Sequence, residues 1–205
     1  MEPAQKPQKH YQKGAKTKQR IYATAVDLIK KHGYHQVTVS QICKACGIAK
    51  GSFYIHYESK EDIVRQSYYA EMGEYLESTY GFFLRRFPDA SLPEKITEFL
   101  KLQLTFAQYA GHELTCLALS MDLSGCISDP ADHFRRRSFS ETLLELLQDN
   151  PHCLPKGRSV QDAFFFLESL IQGMMATWCF TAGTNTALES GKRMIEQSVH
   201  QFFAA

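Results

Sequence analysis

The stretch TVSQICKACGIAKGSFYIHYESK, residues 38–60, decides the fold of the N-terminal part of this chain. Thr38 and Gln41 match a capping box, in which a Thr hydroxyl and a Gln side chain satisfy backbone N–H groups at a helix start. Gly47 permits the left-handed backbone that a tight interhelical turn requires. A second short helix then begins near Lys50. This pattern predicts a helix-turn-helix, whose second helix enters the DNA major groove.

Helical patterns flank this stretch on both sides. Residues 16–32 place apolar side chains on one face of a helix, and Ser59 caps another helix with acidic residues in its first turn. We therefore predict a DNA-binding domain over residues 16–62 and a second helical domain over residues 63–205. Residues 1–15 contain two Pro and one Gly and are expected to form a flexible basic arm.

The charge of the chain is unevenly distributed. Residues 1–60 hold eleven Lys and Arg against three acidic residues, a net charge of +8, whereas the remainder carries a net charge of −7. Such asymmetry favours an N-terminal end that faces nucleic acid and a body that phosphate does not attract.

Composition also indicates the compartment. Six Cys in 205 residues do not make a disulfide scaffold, and residues 1–20 lack the apolar core of a signal peptide. The most apolar run, residues 163–180, carries Glu168, Ser169 and Gln172 at its centre, which favours a buried helix over a membrane span. We expect a cytoplasmic protein with reduced thiols and no membrane partner.

The rest of the chain keeps a helical period, and no stretch alternates with period two, so the predicted class is all-α with about nine helices. In the middle of the chain we expect a short helix over residues 113–121, a loop over 122–129 and an amphipathic helix over 130–147. Two closing helices are predicted over about 159–180 and 185–203.

The last helix carries a seam with spacings of three and four residues, and the helix before it contains one Gly among bulky side chains. Small residues in such a seam allow close helix approach. The pattern predicts a homodimer with a four-helix interface, two helices from each subunit. The alternative is that both helices pack inside the monomer. The predicted interface residues are Gly173, Leu188, Gly191, Ile195, Ser198 and Phe202.

The segments AVDLIKKHGY (residues 25–34) and TVSQICKACGIAKGSFYIHYESKEDIV (residues 38–64) resemble the TetR/AcrR family of one-component bacterial transcriptional regulators. The resemblance covers about residues 16–65, and the remaining chain matches in length and helix order only. It implies a three-helix domain that binds DNA and a divergent helical domain that binds a small molecule and dimerises through its last two helices.

Carried over by position, the resemblance implies contacts with a double-stranded DNA operator. Lys50 would read a guanine edge, and Gly51 would let the backbone come close. His56 and Lys60 would clamp phosphates, while the remaining residues would contact phosphates, base edges or a thymine methyl. The full set is Thr38, Ser40, Gln41, Lys50, Gly51, Ser52, Tyr54, His56 and Lys60.

Two positions depart from the family pattern. Ala49 stands where many relatives have Ser or Thr, so a helix cap is lost there. Cys43 and Cys46 form a C-x-x-C inside the second helix, where small buried hydrophobic side chains are the favoured interpretation. A redox-sensing regulator that acts through Cys43 and Cys46 remains the first alternative. We predict no metal site and no cofactor.

The effector that the resemblance implies would be small and apolar or aromatic, because the middle helices are rich in aromatic and sulfur side chains. The same residues could instead be ordinary core. The candidate pocket residues are Phe106, Tyr109, Cys116, Met121, Leu143, Leu147, Met174 and Trp178.

These observations predict a ligand-responsive repressor that binds a pseudo-palindromic operator as a homodimer and that a small-molecule effector releases. No nucleophile–base pairing, phosphate-binding loop or suitably spaced carboxylate pair is visible, so an enzyme is not predicted. The second alternative is a helical small-molecule-binding protein or enzyme without DNA function, which the basic N-terminal segment disfavours.

Overall fold

The computed structural model describes residues 8–128 and 138–204, and within these ranges the chain forms nine α-helices and no strand. The all-α prediction is confirmed. Short 3₁₀ turns occupy Tyr34–Gln36 and Pro151–Cys153. The helices are α1 (Gln8–His32), α2 (Val39–Cys46), α3 (Lys50–Tyr54), α4 (Lys60–Arg86), α5 (Leu92–Ala110), α6 (His112–Ser128), α7 (Ser138–Gln148), α8 (Val160–Phe180) and α9 (Asn185–Ala204).

The chain divides into two compact units, Met1–Ser67 and Tyr68–Ala205. The division lies inside α4, a few residues beyond the predicted boundary at residue 62. Because α4 is one continuous helix, it begins in the N-terminal unit and ends in the C-terminal unit.

The first helix is longer than expected. α1 begins at Gln8, so residues 8–15 are helical and the prediction of a flexible arm over residues 1–15 is wrong for them. Both Pro residues of the predicted arm precede this start, and the residues after Pro7 are mostly Gln, Lys and Ala, which tolerate or favour a helix. Residues 1–7 lie outside the described ranges.

The core of the N-terminal unit is built from the apolar stripe of α1 and the inner faces of α2 and α3. Ile21 and Ala25 of α1 are completely buried, as are Ile42 of α2 and Phe53 of α3. Because α1, α2 and α3 each contribute at least one buried side chain, this small core holds α3 in place.

The C-terminal unit surrounds α5, which packs against α6, α8 and α9. Ser91 and Ser159 start α5 and α8 with capping boxes, in which Glu94 and Asp162 are the reciprocal partners. Each box satisfies two backbone N–H groups that would otherwise lack partners at the helix start.

The middle of the chain differs from its prediction. The loop expected over residues 122–129 is helical as far as Ser128, because α6 continues past Met121. Asp122 accepts a hydrogen bond from the Tyr69 hydroxyl of α4, a tertiary contact that no local pattern encodes. The N-terminal part of the helix predicted over 130–147 lies outside the described residues, and α7 is described from Ser138.

The helix α8 is long and apolar enough to cross a membrane by length and composition alone. It packs against α5, α6, α7 and α9, and Leu167, Ile171 and Trp178 are buried among them. These contacts are those of a core helix.

Candidate nucleic-acid interface

The turn between α2 and α3 has the geometry that the sequence predicts. The Thr38 hydroxyl accepts from the backbone N–H of Gln41 at 3.3 Å, and the Gln41 side-chain oxygen accepts from the Thr38 backbone N–H at 2.7 Å. Gly47 ends α2 in the left-handed region with φ 65° and ψ 38°. A residue with a side chain would be strained at that φ, so the turn requires glycine.

The helix α3 exposes one face and buries the other. Phe53 is fully buried and Tyr57, just beyond the helix, is 5% exposed, whereas Tyr54 is 57% exposed. Ala49 precedes α3 and makes no side-chain capping bond, as its departure from the family pattern implied. The fold therefore buries Phe53 in the core and leaves Tyr54 exposed to solvent.

The residues predicted to contact DNA differ in their exposure to solvent. Thr38, Ser40, Gln41, Lys50, Gly51 and Tyr54 are exposed, while Ser52, His56 and Lys60 are half-buried. The Gln41 side-chain oxygen is committed to the capping box, so its amide N–H groups are what it can offer to a base edge or a phosphate.

Lys60 makes contacts within the chain that the sequence analysis did not predict. Its ammonium donates to the backbone carbonyl oxygens of Tyr34 at 2.9 Å and of Val37 at 3.0 Å, and it lies 4.0 Å from the centre of the Tyr34 ring. Two carbonyls and an aromatic face satisfy most of what an ammonium can bind. Lys60 therefore fastens the start of α4 to the turn after α1, and its contact with a DNA phosphate stays a prediction.

A second contact strengthens the same junction. The Tyr34 hydroxyl donates a hydrogen bond to the Glu61 carboxylate. Partial burial opposes the charged form of Glu61, but hydrogen bonds from Tyr34, the backbone and Ser59 outweigh it and lower the pKa of that carboxyl. Burial first, and then the Glu61 carboxylate, raise the pKa of Tyr34. The pair is therefore a neutral phenol that donates to a carboxylate.

Sequence reasoning missed two residues near the interface. Tyr34 received no role, and only its partners in the tertiary structure reveal one. Ile55, directly after α3, is 80% exposed beside Tyr54. Its exposed apolar surface is suited to contact with a sugar or a thymine methyl group.

Cys43 and Cys46 are buried on the inner face of α2, at 4% and 7% exposure. The Cys46 thiol points to the backbone carbonyl of Arg20 at 3.8 Å. Burial, and then the neighbouring Cys46, raise the pKa of the Cys43 thiol. A thiol that is buried and has a raised pKa forms little thiolate and is a poor redox sensor. This favours the core interpretation of this C-x-x-C.

The three cavities found among the described residues are lined by none of the eight predicted pocket residues. Phe106, Leu143 and Leu147 are completely buried and Trp178 nearly so, whereas Tyr109 is 68% exposed. The buried ones belong to the hydrophobic core of the C-terminal unit. Cys116, Met121 and Met174 are half-buried. Three cavities of the described part of the C-terminal unit, of about 660, 560 and 550 Å³, have other linings.

The cavity of about 560 Å³ lies between α4, α5 and α7. Tyr69, Tyr80 and Phe99 provide aromatic walls, and Glu74 and Glu77 also line it. The Tyr80 hydroxyl is buried and has no hydrogen-bond partner among the described residues. Burial, and then the charge of Glu98, raise the pKa of Tyr80 to about 12, so the hydroxyl is a neutral donor. An unsatisfied donor beside a cavity is suited to a ligand with an acceptor atom.

The predicted dimer seam on α9 is mostly internal to the monomer. Leu188 and Ile195 are at most 1% exposed, and a Cβ on Gly191 would lie 2.8 Å from Leu104 of α5. Ser198 is half-buried, and the Phe202 ring stacks on Phe166 of α8 with centroids 4.6 Å apart. The small residue allows α9 to approach α5 of the same chain, so the seam is wrong as an interface between subunits.

A different face of the closing helices is exposed. Phe165 of α8 is 66% exposed and Phe180 is 89% exposed, and Gly173 of α8 is also exposed. Met194 of α9 is 49% exposed. Of the predicted interface residues, Gly173 therefore lies on the outside, where a second subunit could contact it.

The described residues contain no group of three or more His, Cys, Asp or Glu side chains that could hold a metal ion. The N-terminal unit instead exposes hydrogen-bond donors, the cation Lys50 on α3, and the aromatic and aliphatic side chains of Tyr54 and Ile55.

Residues 21–66 match the family model of the bacterial regulatory proteins of the tetR family. This range contains α2, α3 and the first turns of α4, together with every residue predicted to contact DNA. The resemblance stated from the sequence is confirmed for this segment, which belongs to that family.

Three known proteins illustrate the similarity. The fatty acid metabolism regulator protein of Bacillus subtilis is 35% identical over 90 residues, which cover 44% of this chain and less than half (42%) of that relative. A transcriptional regulator FadR from Bacillus subtilis, solved in complex with stearoyl-CoA, shares the fold with a TM-score of 0.59 at 20% identity, covering 86% of this chain and 96% of that one. A TetR-family protein from Rhodococcus sp. has a TM-score of 0.65 at 12% identity, covering 92% and 99%.

Proposed function

We propose that this chain, whose residues 21–66 belong to the TetR family, is a transcriptional repressor that binds a pseudo-palindromic operator as a homodimer and that a small molecule releases. The observation that carries the proposal is the exposed face of α3. Lys50, Gly51 and Tyr54 project from a helix that buried Phe53 fixes in place. In a helix-turn-helix this face is the one that reads the major groove.

The proposal is tested by DNA binding with two variants on that face. Tyr54→Ala and Lys50→Gln should each weaken binding to an operator selected from random duplexes by about fivefold or more, because a base or phosphate contact of this kind is worth about 1–3 kcal/mol. Fluorescence anisotropy of a labelled duplex measures the affinity.

Matched controls come from the C-terminal unit. Tyr109 is as exposed as Tyr54, at 68%, and Lys156 is an exposed lysine outside the proposed interface. Tyr109→Ala and Lys156→Gln should bind the operator as the wild type does. Equal losses in the controls and in the α3 variants would contradict the proposal.

The alternative without DNA function makes a different prediction about salt. Neutralising phosphates releases counterions, so the affinity of a DNA-binding protein falls steeply with salt concentration. The wild-type chain should show that dependence. Duplex binding that does not respond to salt would favour the alternative.

The homodimer is proposed to form through the exposed face of α8, with Phe165, Gly173 and Phe180, together with Met194 of α9. Aromatic side chains this exposed are those that an interface covers. Phe180→Glu and Phe165→Glu should convert a dimer to a monomer in sedimentation velocity without unfolding it. Phe82→Glu on α4 is the control, since Phe82 is 65% exposed and lies on another helix.

The effector is proposed to bind in the cavity between α4, α5 and α7. Aromatic walls favour an apolar or aromatic molecule, and the Tyr80 hydroxyl favours one that carries an acceptor atom. The neighbour solved with stearoyl-CoA makes fatty acids and their thioesters the first compounds to screen. Glu74 and Glu77 in the lining disfavour placing a polyanionic head group there.

An effector of this kind should raise the unfolding temperature of the wild type and weaken operator binding in the same concentration range. Ala70 lines the cavity. The Ala70→Phe variant should bind the operator as the wild type does, but the compound should no longer raise its unfolding temperature or weaken its operator binding. Binding that survives this substitution would place the effector elsewhere. We further propose that the protein works in the cytoplasm, where its operator lies.

A further inference from the structure

The start of α6 meets the end of α8 around one histidine. The His112 Nε2 atom lies 2.8 Å from the backbone carbonyl oxygen of Cys179 and 3.4 Å from the Cys116 sulfur. Because a carbonyl can only accept, Nε2 is the nitrogen that carries the hydrogen and donates it. The same N–H group is positioned to hydrogen-bond the Cys116 sulfur in its thiolate form.

Surrounding residues hold this histidine in place. A Cβ on Gly183 would lie 2.9 Å from the His112 Cβ atom, and Gly183 has a φ of +67°, so only glycine fits beside the ring. On another side the Trp178 ring meets His112 edge to face, with centroids 5.8 Å apart. The imidazole is therefore packed into a defined position.

Two thiols meet at this position. Cys116 of α6 and Cys179 of α8 both contact the His112 Nε2 atom, Cys116 through its sulfur and Cys179 through its backbone carbonyl, and both cysteines are half-buried. Burial, and then the neighbouring Cys116 side chain, raise the pKa of the Cys179 thiol to about 12. Cys179 therefore stays a thiol, and Cys116, whose sulfur lies beside the His112 N–H group, is the sulfur placed to act as the nucleophile.

We propose that Cys116 and Cys179 are a dithiol that a peroxide oxidises reversibly to a disulfide joining α6 to α8. The Cys116 thiolate attacks one peroxide oxygen and becomes a sulfenic acid as the O–O bond breaks, and the released hydroxide takes up a proton. The Cys179 sulfur then attacks the Cys116 sulfur, loses its proton and expels the hydroxyl group as water. Two sulfurs lose two electrons, and one hydrogen peroxide becomes two water molecules.

The site is distinct from the C-x-x-C of α2, because Cys43 and Cys46 are buried. It also differs from Cys126, farther along α6, and from Cys153, in the 3₁₀ turn before α8, because both of these cysteines are exposed. A cytoplasmic disulfide of this kind is transient and regulatory, which fits thiols that are partly accessible. The inference does not depend on DNA binding.

The experiment uses the full-length chain and hydrogen peroxide. Oxidation followed by alkylation, protease digestion and mass spectrometry should show a peptide pair joined through Cys116 and Cys179 that has lost two hydrogen atoms, and dithiothreitol should reverse it. Trp178 is the only tryptophan of the chain, so its fluorescence should change with the same peroxide dependence.

Single variants separate the proposal from its competitors. Cys116→Ser and Cys179→Ser, and Cys116→Ala if the serine variant unfolds, should abolish the fluorescence change, whereas Cys126→Ser and Cys153→Ser should keep it. A fluorescence change that persists without Cys116, a linked peptide containing Cys43 or Cys46 instead, or a change that a chelator reverses and dithiothreitol does not, would overturn the assignment.

Discussion

Lys60 lies with its ammonium 4.0 Å from the centre of the Tyr34 ring and donates to the carbonyl oxygen of the same residue at 2.9 Å. One side chain at the start of α4 thus binds both the face and the backbone of a residue in the turn after α1. We therefore expect the contact to stabilise the N-terminal unit, and it engages a cation that the sequence had placed at the DNA surface.

Replacing Lys60 with methionine should therefore cost stability. The change keeps most of the apolar side chain but removes the donor for the carbonyls of Tyr34 and Val37, and hydrogen bonds that involve a charged group are worth about 1.5–3 kcal/mol. Urea denaturation should show a loss in this range.

Lys44→Met on α2 is the matched control, since Lys44 is exposed and its loss should change the stability by no more than about 0.5 kcal/mol. If Lys60→Met were as stable as Lys44→Met while losing operator affinity, Lys60 would be a phosphate contact after all.

The Tyr34–Glu61 hydrogen bond should appear in the pH dependence of stability. The pKa of Glu61 is lowered in the folded chain below its ordinary value of 4.5, so the folded state binds its proton less tightly than the unfolded state does. The contribution is present above that value and is lost as the pH falls below it. Wild type should lose more stability than Tyr34→Phe between about pH 6 and pH 3.

Glu58→Gln, an exposed acid near the same junction, should keep the wild-type pH dependence. Parallel stability curves for wild type and Tyr34→Phe would show that the hydrogen bond does not depress the pKa of Glu61.

Two glycines of the closing helices should respond oppositely to alanine. Both substitutions gain about 1 kcal/mol of helix propensity, but only a Cβ on Gly191 meets an atom, Leu104 Cδ2, at 2.8 Å. Overpacking a core costs about 1–3 kcal/mol, so Gly191→Ala should be less stable than Gly173→Ala by about that amount.

Thermal unfolding at several protein concentrations measures this difference and separates it from association. An equal effect of the two substitutions would mean that α9 does not approach α5 as closely as the contact with Leu104 indicates.

Removing the Tyr80 hydroxyl should stabilise the ligand-free protein. The hydroxyl is buried without a partner among the described residues, and an unsatisfied polar group costs about 1 kcal/mol or more. Tyr80→Phe should therefore raise the free energy of unfolding by about 1 kcal/mol.

Tyr57→Phe provides the contrast, because its hydroxyl donates to the backbone carbonyl of Lys18 at 3.3 Å and its loss should destabilise the protein. A destabilising Tyr80→Phe would mean that the hydroxyl has a bound partner, such as a water molecule, in the free protein.

The DNA-binding segment could be predicted closely because its signals are local. Thr38 with Gln41 forms the capping box, and Gly47 has the left-handed backbone, as their spacing predicted. Phe53 and Tyr57 face inward, as a four-residue interval on one helical face predicts. Each of these features depends on residues close together in the sequence.

Predictions that depended on distant partners were the ones that changed. Gly191 has the spacing of an interface between subunits, but the chain uses it to bring α9 against α5. The aromatic and sulfur residues expected around the effector fill the core, while the cavity between α4, α5 and α7 is lined by others. Helical periodicity indicates which face of a helix is apolar, but only tertiary packing determines which residues cover that face.

The sequence by itself therefore determined the all-α class, the helix-turn-helix and the exposed position of Tyr54, since propensity, caps and periodicity are written over a few consecutive residues. Tertiary structure alone decided that the Lys60 ammonium donates to the backbone carbonyl of Tyr34. It also decided that Cys116 and Cys179 come together beside His112. These pairs lie tens of residues apart, and folding brings them together through core packing that no local pattern records.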